Sequence, residues 1–285
     1  MDITQQIANG IMAGSIYGLL AVSLALVFGV LEVPQFAFGA HAMFGAYAVL
    51  AVAGLGYWAG VATAIAVGAI LGLLVQALVF DPLRKAQPAT LFIAAFGLLM
   101  LLQGLALLLF GPNPRTVEPA VAGGTHIFGA AITYQRLIVL VVTIVAVVAL
   151  NAFLRWTSVG RSIRAAGQST TGSLVVGLNP RWIGMTTMAL GSALACLAGA
   201  LLAPVAQVHP TMGDDLILKA FIVIIIAGMG SINGALIAGL LIGVAEAFGS
   251  ALISVAFRDA YAVIFLIAIL VLRPQGLFGR VVRTS

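Results

Sequence analysis

Between Ile7 and Val30 the chain runs 24 residues without one charged side chain. About 20 apolar residues in a helix span the ~30 Å hydrocarbon core of a bilayer. The pattern returns at Phe36–Leu55, Tyr57–Phe80, Thr90–Phe110, Arg136–Leu154, Trp182–Val205, Leu216–Gly228, Ala235–Val255 and Tyr261–Leu272. With 62% hydrophobic and 7% charged residues, against roughly 25% charged in a soluble domain, water is excluded as the solvent of this fold. A folded chain of this length leaves too much surface exposed to hide so much apolar material. The expected fold class is all-α: a polytopic membrane helix bundle in contact with lipid, with 1–285 as a single transmembrane domain and no soluble domain attached. Leu216–Gly228 and Tyr261–Leu272 are short for a straight crossing, so the expected number of transmembrane helices is eight or nine. The 33 glycines suit membrane helices that approach closely. Met1–Gly10 carries no Lys or Arg, and the apolar run after it is too long for a signal peptide, so it reads as the first membrane helix.

The few charges give orientation. Nine of the 13 cations (Arg84, Lys85, Arg155, Arg161, Arg164, Arg181, Arg273, Arg280 and Arg283) fall in segments that share one side if the intervening spans pair up. That side is cytoplasmic by the positive-inside rule. Opposite it lie Gly111–Gln135 and Ala206–Asp215, with Arg115 as a cation and Glu118, Asp214 and Asp215 as acids. Nine full spans place the N-terminus outside, whereas a re-entrant segment places it inside. The net charge of +5 serves orientation, not nucleic-acid binding, because no basic patch is interleaved with aromatics. The lone Cys196 sits in an apolar run and reads as a small buried hydrophobe.

No stretch carries catalytic or cofactor chemistry. A phosphate-binding loop needs G-x-x-x-x-G-K-[ST]; Gly167–Gly172 lacks the lysine, so ATP must be handled by another polypeptide. His41, His126 and His209 have no metal-ligand spacing, and no cofactor is expected. His126 and His209 fall in outer loops, whereas His41 lies in or beside a span, either on a pathway or at a helix contact. Glu246 stands in the middle of Leu241–Ser250, where a carboxylate is costly unless paired or wetted; it either lines a path or ties two helices together. Gln76 and Gln103 are expected to bridge helices, and Ser250 and Ser254 to bond a carbonyl one turn back. Pro34–Gly39 and Gly228–Gly234 interrupt apolar runs, one in each half, as the binding sites of transporters often do. The candidate pathway residues are therefore Gln35, Phe38, His41 and Glu246, and the candidate helix break holds Gly228, Gly230, Ser231 and Gly234.

The loop Trp156–Arg181 is long, basic and moderately amphipathic, with Leu174, Val175, Val176 and Leu178 as apolar contacts and a short capped helix expected from Gln168–Thr171. A helix displayed in this way suits a groove on a partner. Gly160-Arg-Ser-Ile-Arg-Ala-Ala-Gly167 followed by Gly177-Leu-Asn resembles the coupling loop of permeases from bacterial branched-chain amino-acid ABC transporters. Asn9-Gly-Ile-Met-Ala-Gly-Ser-Ile-Tyr-Gly-Leu-Leu-Ala resembles that family's first helix, Ala227-Gly-Met-Gly-Ser-Ile-Asn-Gly-Ala-Leu-Ile-Ala-Gly its glycine-rich motif, and Arg273-Pro-Gln-Gly-Leu-Phe-Gly-Arg280 its closing tail. The resemblance runs over essentially the whole chain and points to the first of two paired permeases.

The resemblance implies an inner-membrane, multi-pass subunit without enzymatic activity of its own. Its partners would be a sister permease, two cytoplasmic ATP-binding subunits and a periplasmic solute-binding protein. It places the ATPase-docking segment at Ala165–Asn179, with Arg164, Ala165, Ala166, Gly167, Gln168, Ser169, Gly177, Leu178 and Asn179 as coupling residues. The family's usual Asn-Phe-Ala-His-Gly-Glu is here Gln35-Phe-Ala-Phe-Gly-Ala40, with Phe38 and Ala40 in place of the His and Glu, and no acid stands near Gln168 or Ser169. The leading expectation is an importer permease for branched-chain amino acids or a related small amphipathic solute. An ion-coupled secondary transporter, a sugar permease of the same superfamily and a membrane-embedded enzyme are the alternatives.

Overall fold

The computed structural model describes residues 3–127, 130–169, 172, 177–254 and 257–279. Thr171, Leu174, Val175, Val176, Val255, Arg280 and Arg283, which figure in the expectations above, lie outside these residues. The helices are α1 (Ile3–Leu31), α2 (Phe38–Ala51), α3 (Tyr57–Leu83, with a π-type stretch at Gln76–Phe80), α4 (Pro88–Phe110), α5 (Tyr134–Trp156), α6 (Ser158–Gln168), α7 (Pro180–Leu202), α8 (Met212–Ala227), α9 (Ile232–Leu252) and α10 (Arg258–Leu272). α1, α3, α4, α5, α7 and α9 are each long and apolar enough to span a bilayer.

Contacts sort the helix ends into two faces. At one end the Gln5 amide bonds Ala131, and Arg115 pairs with Val208. At the other, Gly29 abuts both Gly167 and Gly230. The cations of the 83–86 turn, of α6 and of Arg273 belong to this second, basic end. The chain therefore starts at the far end, and α2, α8 and α10 alternate direction with the six long helices. Among the described residues, six helices have the length of a full crossing, and three shorter ones, of which α2 starts near mid-depth, alternate with them. The two short spans are longer than the apolar runs suggested: α8 begins at Met212 and α10 at Arg258. Asp214 and Asp215, expected in a loop, occupy the first turn of α8, where acids favour the helix dipole. A two-stranded hairpin, Gly124–Ile127 with Ala130–Thr133, lies within the expected outer loop and carries His126.

α1 is the hub, with Leu19, Leu20, Ala21, Val22 and Val27 fully buried. It crosses α9 glycine to glycine: Gly10 and Gly14 lie against Gly243, and Gly18 against Gly239. Two backbones can come this close only where neither carries a Cβ, and close packing is what holds helices together in lipid. α2 is short because it starts late. Glu32 takes a positive φ of 54°, Pro34 disfavours helix before it, and the chain re-enters the bundle extended. Helix resumes at Phe38, level with Gly191 near the middle of α7. Irregular backbone at that depth is tolerated because protein, not lipid, surrounds it: Val33, Gln35 and Ala37 are buried. Phe36 stacks on Phe221 at 4.3 Å and meets Phe92 edge-on at 4.9 Å, which joins the extended segment to α4 and α8.

Candidate functional site

The basic end holds the expected coupling segment. Thr157 caps α6, its hydroxyl accepting from the Gly160 amide at 2.9 Å. α6 buries Gly160, Ile163 and Ala166 and turns Arg161, Arg164, Ala165, Gly167, Gln168 and Ser169 outward. A regular helix ends at Gln168, and the short helix expected to start at Gln168–Thr171 falls for the most part outside the described residues. Beyond it, the Ser169 hydroxyl accepts from the Gly172 amide at 3.0 Å, the bond an N-cap makes. Gly177 takes a φ of 78°, Leu178 is half-buried, and the Asn179 carboxamide caps α7 through the Arg181 amide.

The glycine-rich break adjoins this segment. Gly228 and Gly230 have φ near 88° and 89°, a region that favours glycine. Ser231 caps α9 by accepting from Gly234. The amides of Leu277 and Phe278 donate to the carbonyls of Ile226 and Ala227 at 2.7 and 3.0 Å, so the tail satisfies carbonyls left free at the end of α8. Three of the four sequence motifs are thus one assembly, in which α6 ends on Gly29, Gly29 lies against Gly230, and the tail seals the break.

A second site lies among the helices. Glu246, fully buried on α9, accepts from the hydroxyl of Tyr17 (α1) and from Lys219 (α8) and Arg258 (α10), each at 3.2 Å. The Lys219 ammonium is also 3.1 Å from the second Glu246 oxygen and from Asp259, and it lies 5.0 Å over the Tyr17 ring. Four helices are joined through one carboxylate. Of the two roles left open for Glu246, the tie between helices is the one its contacts build. Lys219, Tyr17, Arg258 and Asp259 went unrecognised in the sequence.

Lys219, Tyr17 and Arg258 face a cavity of about 530 Å³ that opens toward the far end and is also lined by Asn9, Arg136, His209 and Asp215. Arg136 donates to the Asn9 side chain at 2.6 Å. Gln35, Phe38 and His41 are not part of this cavity. They pack against α7: Gln35 donates to the Met188 sulfur at 3.6 Å, Phe38 lies on Gly191, and the His41 carbonyl accepts from Cys196 at 2.9 Å. The structure therefore does not gather the four candidate pathway residues into one site. Among the described residues the His41 ring nitrogens and the Ser250 hydroxyl have no partner, so Ser250 does not make the expected bond one turn back. Gln103 does bridge helices, through Asp214 on α8, whereas Gln76 bonds Asp81 within α3.

A multi-pass helical bundle with its charges paired inside, a cavity open to one face and a basic segment displayed on the other is the plan of a membrane transport subunit. Residues 6–273 match the family described as branched-chain amino acid transport system, permease component, and the chain belongs to that family. It is 31% identical to the high-affinity branched-chain amino acid transport system permease protein LivH of Escherichia coli (strain K12), covering 97% of this chain and 95% of that protein. It is 32% identical, with the same coverage, to the corresponding protein BraD of Pseudomonas aeruginosa. It is 28% identical to a probable branched-chain amino acid transport permease protein LivH of Methanocaldococcus jannaschii, over 95% of this chain and 91% of that protein. Among solved structures, PsaBC from Streptococcus pneumoniae in complex with Fab superposes with a TM-score of 0.51 at 11% identity, over 96% of this chain and 93% of that one, a likeness of fold.

Proposed function

We propose that this chain, acting as one transmembrane domain, is a permease subunit of an ATP-driven importer in a bacterial inner membrane, moving branched-chain amino acids or a related small amphipathic solute. A sister permease completes the pathway, two separate ATPase subunits dock on the basic, cytoplasmic end, and a periplasmic binding protein delivers solute to the far end. The observation that carries this reading is the seating of α6 on the end of α1 beside the Gly228–Gly234 break, within a chain matched by the permease family over residues 6–273. A push on Arg164–Ser169 bears directly on α1. Leu178 and Asn179 make the return into α7, and Gly228, Gly230, Ser231 and Gly234 form the hinge between α8 and α9. An ion-driven transporter would need an intramembrane carboxylate free to take up the coupling ion, and Glu246 is held by two cations and a hydroxyl.

The test is co-purification and uptake. Ser169→Arg places a charge on an exposed residue and is expected to weaken ATPase association while leaving membrane insertion unchanged. Gly167→Trp should do the same but less cleanly, because a side chain there meets the Gly29 carbonyl. Unchanged ATPase binding in both variants sinks the docking assignment. Solute uptake that survives ATP depletion with ion gradients intact sinks the function.

A further inference from the structure

The cavity at the far end contains two charges of opposite sign that the Glu246 cluster does not use. Arg136, at the start of α5, is half-buried and bonded to a neutral partner, Asn9. Asp215, exposed at the rim in the first turn of α8, stands one helical turn outward of Lys219, on the same face. Among the described residues neither belongs to an ion pair. The charges at the cavity floor already balance, with Lys219 and Arg258 against Glu246 and Asp259. The hydroxyl of Ser250, which also lines the cavity, is buried without a partner. Between these polar groups the wall is apolar, formed by Met12, Ile16, Val139 and Leu216.

That combination selects among ligands. A simple anion would satisfy Arg136 and face Asp215, and a simple cation would do the reverse. A neutral solute would leave both charges as they are. A small molecule with both charges at one end and a hydrocarbon at the other offers each of these groups a partner, and a cavity of about 530 Å³ lies in the ordinary range for a site that encloses a small ligand. We propose that this cavity is a solute site of the chain and takes an α-amino acid as its zwitterion. The carboxylate sits on Arg136, the ammonium on Asp215, the Ser250 hydroxyl supplies a further hydrogen bond, and the branched side chain lies against Met12, Ile16, Val139 and Leu216. This rests on the reading that the chain carries amino acids and adds which of its residues hold one.

The complete transporter, reconstituted in proteoliposomes, is assayed for ATP-dependent L-leucine uptake in the presence of two competitors. These are 4-methylpentanoate, which lacks the ammonium, and 3-methylbutylamine, which lacks the carboxylate. Arg136→Gln and Asp215→Asn should each raise the KM for leucine about tenfold or more, as the loss of one charge-assisted hydrogen bond does. The two variants should differ in what still competes: 3-methylbutylamine with Arg136→Gln, 4-methylpentanoate with Asp215→Asn. Arg136→Lys keeps the charge and should recover most of the affinity, which a purely structural role would not require. Val139→Trp fills the cavity and should abolish uptake while ATPase subunits still co-purify. Leucine KM values within twofold of the unaltered chain in both charge variants overturn the proposal and leave the importer reading standing. Absence of leucine uptake by the unaltered complex overturns the amino-acid reading on which this proposal rests, and the proposal with it.

Discussion

Glu246→Gln should be among the most damaging single substitutions in this protein, although it changes one oxygen to an amide. The Lys219 and Glu246 side chains are 9% and 1% exposed and 3.1 Å apart. At an effective dielectric of about 20 their attraction is about 5 kcal/mol, much of which offsets the cost of removing both ions from water. Breaking such a pair from one side commonly costs about 3–5 kcal/mol, because the other charge remains buried. Glu246→Gln leaves Lys219 with the neutral Tyr17 hydroxyl at 3.2 Å and with one carboxylate, that of Asp259, whose side chain is 81% exposed. Lys219→Met is milder, about 1–3 kcal/mol, because Glu246 keeps Arg258 and the Tyr17 hydroxyl, each at 3.2 Å.

Cys196 supplies the assay. It is the one cysteine in the chain and fully buried, so a thiol-reactive fluorophore labels it when the purified chain unfolds on heating in detergent. Glu246→Gln should lower the labelling temperature by several degrees, Lys219→Met by less, and the double variant should lose less than the sum of the two, with a coupling of about 1–3 kcal/mol. A labelling temperature for Glu246→Gln within a degree of the unaltered chain, or strictly additive effects, would refute the view that the cluster binds the helices together.

Two further substitutions probe the packing. Gly239→Val puts a branched side chain where a Cβ would meet the backbone of Gly18, so α1 and α9 must part and Cys196 should label at or near room temperature. Gly228→Ala combines a φ of 88° with a clash against Gly279, at a strain of about 1–3 kcal/mol. It should release the tail and make the 273–279 segment cleavable in limited proteolysis, while Cys196 labelling shifts only slightly.

How legible the chain was depends on what each signal measures. Long apolar runs report desolvation directly, so the spans, the multi-pass class and the basic side could be read from residues alone. Glu246 was conspicuous for the same reason. Its partners were not: Lys219 sits in a run judged too short to cross, and Arg258 and Asp259 fall in the gap before Tyr261, where charges look like ordinary loop polarity. A lysine in an apolar window, in a chain with one buried glutamate, was the signal available. Pairing is a tertiary fact, because Lys219 and Glu246 are 27 residues apart and Tyr17 is a further 202 residues away from Lys219. The late start of α2 was half visible in Pro34, but the depth at which Phe38 resumes the helix depends on Gly191 across the interface.

The motifs were legible one by one, and their convergence was not. In sequence, the coupling segment, the glycine-rich break and the tail are separate signatures. In the fold, Gly167, Gly29 and Gly230 meet, and Leu277 and Phe278 close on the end of α8. The first-helix motif belongs to the same system, because α1 carries Gly29 near its basic end and Tyr17 at the cavity floor. α1 is therefore in contact with both the displayed segment and the charged cluster. A helix packed backbone to backbone along Gly10, Gly14 and Gly18 does not bend to absorb a small displacement, since close-packed interiors transmit strain. On the proposed reading, movement imposed on α6 would shift α1 against α9 or open the Gly228–Gly234 break. Either changes the geometry around Glu246, which takes one bond from each of α1, α8 and α10. The arrangement explains why a chain with so few charges keeps four of them together: Glu246, Lys219, Arg258 and Asp259 lie where four helices meet.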